Sequence, residues 1–145
     1  MEKAYHFLSE DSIWESVSEF VDSQGQIIKG TGESVIKTDR DLITNDSWST
    51  FDGKKIYNNY QIKHLSGNRY QYTSQNPALG IQSGFFDISK SIIFSKFSVR
   101  DTKLNGYEII RRIDNMCYAN GALYNGNELI NTWISTLQKK DIKSI

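Results

Sequence analysis

The chain has 145 residues, with 17 basic and 17 acidic side chains and a formal net charge of +0 at pH 7. This length suits one domain, residues 1–145, that buries a core without disulfides or a metal. The balanced charge lacks the basic surface on which nucleic-acid binding depends, so we expect no nucleic-acid partner.

Membrane and cofactor functions are also disfavoured. No apolar run approaches the ~20 residues of a membrane-spanning helix, and the N-terminus lacks the basic start and apolar stretch of a secretory signal. We therefore expect a cytoplasmic protein without a membrane partner. The single cysteine, Cys117, has no disulfide partner and no metal-type cluster around it in the sequence. Since P-loop, His-Glu-x-x-His and Gly-x-Ser-x-Gly motifs are missing, the sequence predicts no cofactor and no metal.

Turn signals at near-regular spacing divide the chain into about ten runs of roughly 8–12 residues, the spacing of an all-β fold. The first eleven residues, with Tyr5, Phe7 and Leu8, predict a short turn or a single helical turn over one end. Asp52-Gly53 is a strong hairpin signal, because this pair accepts the positive φ of a type I′ turn. Further breaks are predicted at residues 22–25, 39–41, 66–68, 76–77, 89–90, 105–106, 114–115 and 125–127.

Within the runs, apolar and polar residues alternate with period two, as in Ile56, Tyr60 and Ile62 with the polar residues between them. The last run, which contains Trp133, also fits a helical stripe, but its β-branched residues and the preceding Asn-Gly turn favour a strand. Consecutive antiparallel strands leave exposed edges unless the sheet closes, and glycines at positions 30, 32, 80 and 84 suit bends at barrel corners. The predicted fold is all-β, a single antiparallel up-and-down β-barrel of about 8–10 strands with a short N-terminal turn or helix.

A short N-terminal turn followed by a strand with Trp14 is similar to the lipocalin opening of Gly, any residue, Trp, with Ser12 in place of the Gly. On this architecture the chain resembles the calycin superfamily of lipocalin-like, fatty-acid-binding-like and avidin-like barrels, and within it bacterial lipocalin-like domains. It lacks the lipocalin Thr-Asp-Tyr signature and the two-helix lid of fatty-acid-binding proteins. It also lacks the late histidine of heme-binding relatives, since its histidines are His6 and His64.

Polar residues on faces that should point inward define a candidate site. An aromatic lumen with a few hydrogen-bonding groups suits a small ligand, and an enclosed Arg would bind a carboxylate or phosphate head group. A shift of one residue in register would exchange the faces of Arg111 and Arg112. The candidate ligand-binding residues are Trp14, Asn58, Tyr60, His64, Arg111, Tyr118 and Trp133.

These features favour a noncatalytic protein that binds a small hydrophobic or amphipathic ligand, with no catalytic residue assigned. One alternative is a cofactor-independent cyclase, isomerase or hydratase, with His64 as general acid–base and Tyr60 or Arg111 stabilising an oxyanion. Another is a barrel filled by its own side chains that acts through its surface or through homo-oligomer contacts.

Overall fold

The computed structural model describes residues 6–77 and 79–140, which form ten antiparallel strands and no helix. Each strand pairs with its neighbour in the chain, and the first pairs with the last, so the sheet closes into a barrel. The predicted all-β barrel is confirmed. The strands are β1 (Ser12–Asp22), β2 (Ile27–Asp39), β3 (Leu42–Phe51), β4 (Lys54–Ser66), β5 (Arg69–Asn76), β6 (Gly80–Ser89), β7 (Ile92–Val99), β8 (Leu104–Ile113), β9 (Met116–Asn125) and β10 (Glu128–Lys139).

Most turns lie where Asp, Asn and Gly predict them. Asp52 and Gly53 join β3 to β4 with φ values of 50° and 76°, the positive pair that a type I′ turn requires. The predicted break at Asn105-Gly106 is wrong, because both residues lie inside β8. The chain turns a few residues earlier, between β7 and β8, where Asp101 has a φ of 61°.

The N-terminal segment covers one end of the barrel, which we call the closed end. Phe7 and Leu8 form a turn there and are 5% and 2% exposed, as the sequence predicted; Tyr5 lies outside the described residues. Beneath them Trp14 is fully buried, with its ring centroid 5.5 Å from that of Phe7. The turns β2–β3, β4–β5, β6–β7 and β8–β9 lie at the same end, since the strands alternate in direction.

Residues 6–77 and 79–140 contain no helix that is long and apolar enough to cross a membrane.

Candidate ligand-binding lumen

The barrel encloses a cavity of about 630 Å³, which we call the lumen. It extends from Leu8 of the N-terminal turn to Asp52 of the β3–β4 turn and Lys54 at the start of β4, at the opposite, open end. Small-molecule pockets occupy about 300–1,000 Å³, so the lumen has the size of a ligand site. The cavity is not filled by side chains, because one side of the barrel wall is built from short residues.

The short residues form a serine wall on β1, β2, β3 and β10. Ser18 and Ser135 face each other across the β1–β10 pair, and their Oγ atoms are 2.7 Å apart. Short hydroxyl side chains leave the neighbouring lumen empty while offering hydrogen bonds. The serine wall comprises Ser16, Ser18, Ser34, Ser47, Ser49 and Ser135.

An aromatic wall lies on β4, β5 and β6. Tyr72 and Phe86 are stacked, with ring centroids 4.4 Å apart and an interplanar angle of 11°. Tyr60 tilts against Tyr72 at 5.7 Å. Burial is the main cause that raises the pKa of both tyrosines above its ordinary value, so both phenols stay neutral at physiological pH. The aromatic wall, defined by these three residues, gives a ligand an apolar surface opposite the hydroxyls.

Three asparagines of the barrel wall contain buried acceptors without a partner. The Oδ1 atoms of Asn45, Asn58 and Asn131 are buried and have no hydrogen-bond partner among the described residues. Asn45 is 8% exposed. Since a buried polar group without a partner costs about 1–3 kcal/mol, these three atoms lower the stability of the empty barrel.

Glu108 of β8 is the carboxyl group inside the lumen. Burial raises its pKa above the ordinary value, and a hydrogen bond from the Trp133 indole opposes this shift. Trp133 donates its Nε1–H to Glu108 Oε2 at 2.7 Å across β9, where Gly121 lies between them. A Cβ at Gly121 would overlap the Trp133 ring, so glycine at this position permits the contact.

The structure brings some of the predicted site residues together. Asn58, Tyr60 and Trp133 line the lumen. Trp14 is also inside the barrel, but it is packed into the closed end below the lumen. That any of them binds a ligand stays a prediction.

His64 lies apart from these residues. Its side chain is exposed, its Nε2 is 2.8 Å from the carbonyl oxygen of Gly67, and its ring meets the edge of Tyr70. It lines a separate pocket of about 450 Å³ beside the closed end. The expectation that His64 faces a molecule in the lumen is therefore wrong, because β4 carries it beyond the enclosed part of the barrel.

The expectation that Arg111 and Tyr118 face the lumen is also wrong. Both are exposed on the outer surface, where the Arg111 guanidinium lies 5.9 Å from the Tyr118 ring centre. Tyr107, Ile109 and Ile113 share this outer side of β8, so its apolar character resembled that of a core-facing side. Alternation separates the two sides of a strand but does not say which is inside when both are apolar.

Arg112, not Arg111, points inward, and its bonds hold it in the closed end. Its guanidinium forms an ion pair with Glu10 at 3.0 Å and donates to the carbonyl oxygens of Asp114 at 2.7 Å and His6 at 3.2 Å. It also lies over the Trp14 ring, 5.1 Å from its centre. Arg112 therefore stabilises the closed end below the lumen, and it is not the arginine predicted to bind an anionic group of a ligand.

Glu108 was not among the residues predicted from the sequence. A glutamate in an otherwise alternating strand ordinarily faces solvent, so its type favours the outside. Glu108 lies on the same side of β8 as Ile110 and Arg112. Alternation along the strand would therefore have identified it as a lumen residue if the inward side of β8 had been known. Among the described residues no group of three or more His, Cys, Asp or Glu is placed to hold a metal ion.

Comparisons with known proteins give a fold but no family. No protein-family model matches the sequence, and the curated proteins give no match. The structure is similar to that of Rv2717c from M. tuberculosis, with a TM-score of 0.72 and 10% identity over 90% of this chain and 92% of the other. It is also similar to the S-type phycobiliprotein lyase CPES from Guillardia theta, with a TM-score of 0.67 and 8% identity over 92% and 89%. Both are lipocalin- or calycin-like ten-stranded barrels.

Proposed function

We propose that the protein binds a small, partly apolar molecule in the lumen. The observation that carries this proposal is a free volume of about 630 Å³ lined by aromatic rings, serine hydroxyls and the enclosed carboxyl group of Glu108. A cavity kept for packing alone would be apolar or absent, because enclosing polar and ionisable groups is costly. An aromatic wall facing a serine wall supplies both apolar contact and hydrogen bonds.

The structural neighbours are compatible with this proposal. One of them is a phycobiliprotein lyase, which is consistent with a ligand-binding use of such a barrel. A bilin therefore belongs among the ligands to be tested.

The first test is native mass spectrometry of the purified protein, followed by denaturation and identification of any released molecule. In parallel, the melting temperature is measured with amphipathic amines, fatty acids, neutral polycyclic compounds and a bilin. A ligand that binds only the native state stabilises it, by about 2.7 kcal/mol at one hundred times its Kd. We expect at least one class to raise the melting temperature.

Two neighbouring substitutions make this test specific to the lumen. Ser18→Leu enlarges a lumen-facing side chain of β1, whereas Val17→Leu enlarges its exposed neighbour on the outer side. Ser18→Leu is expected to abolish the ligand-induced shift and Val17→Leu to retain it. A purified protein without ligand that no compound stabilises, or a shift that survives Ser18→Leu, would contradict the proposal.

A further inference from the structure

Among the described residues, the inner wall of the lumen carries a carboxyl group and no cation. Of the described residues that line the cavity, Asp52, Lys54 and Glu108 are charged. Asp52 and Lys54 belong to the open end, at the β3–β4 turn and its margin, so Glu108 is the ionisable acid of the inner wall. A ligand carboxylate beside the inner wall would therefore have no cationic side chain to pair with.

Several hydrogen-bond donors of the lumen are already bonded, whereas acceptor capacity is left at Glu108. The Trp133 N–H is bonded to Glu108, and the Ser18 and Ser135 hydroxyls are bonded to each other. Glu108 accepts the bond from Trp133 through Oε2, and a carboxylate has further acceptor capacity at its second oxygen. A ligand that binds at Glu108 must therefore bring a donor.

We propose that the lumen selects a ligand whose enclosed part carries a basic nitrogen or several N–H donors, with Glu108 as its anchor, and that it disfavours carboxylates. This inference rests on the proposed function and specifies its ligand class. Trp133 fixes one carboxylate oxygen of Glu108 at 2.7 Å and leaves the other available to the ligand. A cationic ligand offsets the cost of burying that charge, whereas an anionic ligand adds a repulsion.

The same arrangement gives the selectivity a pH dependence. Burial raises the pKa of Glu108, so the charged form, which attracts a cation, becomes populated only as pH rises through that raised value. The titratable groups across the lumen are the phenols of Tyr60 and Tyr72, whose pKa values are raised by burial first and by Glu108 in addition. They stay neutral, so Glu108 governs the change.

The test uses three probes that share one ring system: 1-naphthylmethylamine, 1-naphthylmethanol and 1-naphthoate. Isothermal titration with the wild-type protein is expected to give a Kd for the amine about tenfold or more below that of the alcohol, the gain of one charge-assisted hydrogen bond. The carboxylate is expected to bind most weakly. The amine-to-alcohol preference should increase with pH while the amine stays protonated.

Glu108→Gln retains an acceptor for the Trp133 N–H but removes the charge. The preference for the amine should then fall to about threefold or less and lose its pH dependence, while the Kd of the alcohol stays near that of the wild type. Glu15→Gln removes a carboxylate from the exposed outer side of β1 and is the matched control, which should keep the wild-type preference.

The outcomes separate the two proposals. Equal binding of amine and alcohol, tighter binding of the carboxylate, or an amine preference that survives Glu108→Gln overturns the selectivity and leaves the proposed ligand-binding function standing. Failure of every probe to bind, together with an empty protein in native mass spectrometry, counts against the proposed function, and the selectivity falls with it.

Discussion

In the closed end of the barrel, Arg112 is bonded to Glu10, Asp114 and His6, and Lys139 contacts Glu10 at 2.6 Å. In the wall of the lumen, by contrast, three asparagine oxygens have no partner among the described residues, and the Glu108 carboxyl group, which accepts one bond from Trp133, lines the cavity. In the first region the charged groups named above are paired, whereas the wall of the second contains buried acceptors without a partner. We therefore expect substitutions in the closed end to lower the free energy of unfolding, and substitutions in the lumen to change ligand binding.

The largest expected effect is on Trp14, which is fully buried beneath Phe7. Trp14→Ala should lower the free energy of unfolding by about 3–5 kcal/mol, because the barrel cannot collapse onto the cavity that is left. Urea unfolding followed by circular dichroism measures this loss. The matched control is Trp48→Ala in β3, where the ring is half-buried under the Lys55 ammonium at 4.2 Å, and its loss should be about 1 kcal/mol. Equal losses for the two tryptophans would remove the distinction.

The next effect contrasts two adjacent arginines of β8. Arg112→Met should cost about 3 kcal/mol of unfolding free energy, since it leaves the Glu10 carboxylate with less compensation and removes bonds to two backbone carbonyls. Arg111→Met changes an exposed side chain and should stay within about 0.5 kcal/mol of wild type. The same unfolding experiment measures both. A larger loss for Arg111→Met would contradict the assignment of the inner and outer sides.

Arg111 and Arg112 also show what could not be predicted from the sequence, namely which side of β8 faces the lumen. Strand period placed Arg111 and Arg112 on opposite sides, but the apolar outer residues of β8 made the wrong side look like the core. The turn predicted at Gly106 was wrong because the role of this glycine also depends on a neighbouring strand. A Cβ there would collide with the Phe97 ring, so the glycine serves packing and not a turn. Turn chemistry and alternation thus predicted the strands and the closed barrel, whereas the lumen residues depend on contacts between distant strands that local patterns do not record.

A smaller effect should appear on lowering the pH. Burial, together with the positive charge of Arg112, lowers the pKa of His6 to about 4. The unfolded chain therefore takes up a proton near pH 6.5 while the native chain does not, so stability is lost as pH falls from about 6.5 to about 4. Because His6 is partly exposed, we expect this loss to be about 1–2 kcal/mol.

Urea unfolding at several pH values between 7.5 and 4.5 measures that slope. His6→Asn should flatten it, and His64→Asn controls for the removal of an imidazole elsewhere. The Glu10 carboxyl, whose pKa is lowered chiefly by its hydrogen bond from Lys139, adds a further loss below its ordinary pKa in all three proteins. An unchanged slope in His6→Asn would show that the closed end does not exclude the charged imidazole.

The smallest effect has the opposite sign and lies in the lumen. Asn58→Leu replaces an unpartnered acceptor with an apolar side chain of similar size, so it should raise the free energy of unfolding by about 0.5–1 kcal/mol. Asn59→Leu is the matched control, because Asn59 lies on the outer side of β4 and donates to Asp46. That substitution should leave stability unchanged or lower it. If ligand binding is what retains Asn58, the stabilised Asn58→Leu protein should also show a smaller ligand-induced rise in melting temperature. A loss of stability in Asn58→Leu would mean that this amide already has its partner in the empty protein, and the contrast between the closed end and the lumen would not hold.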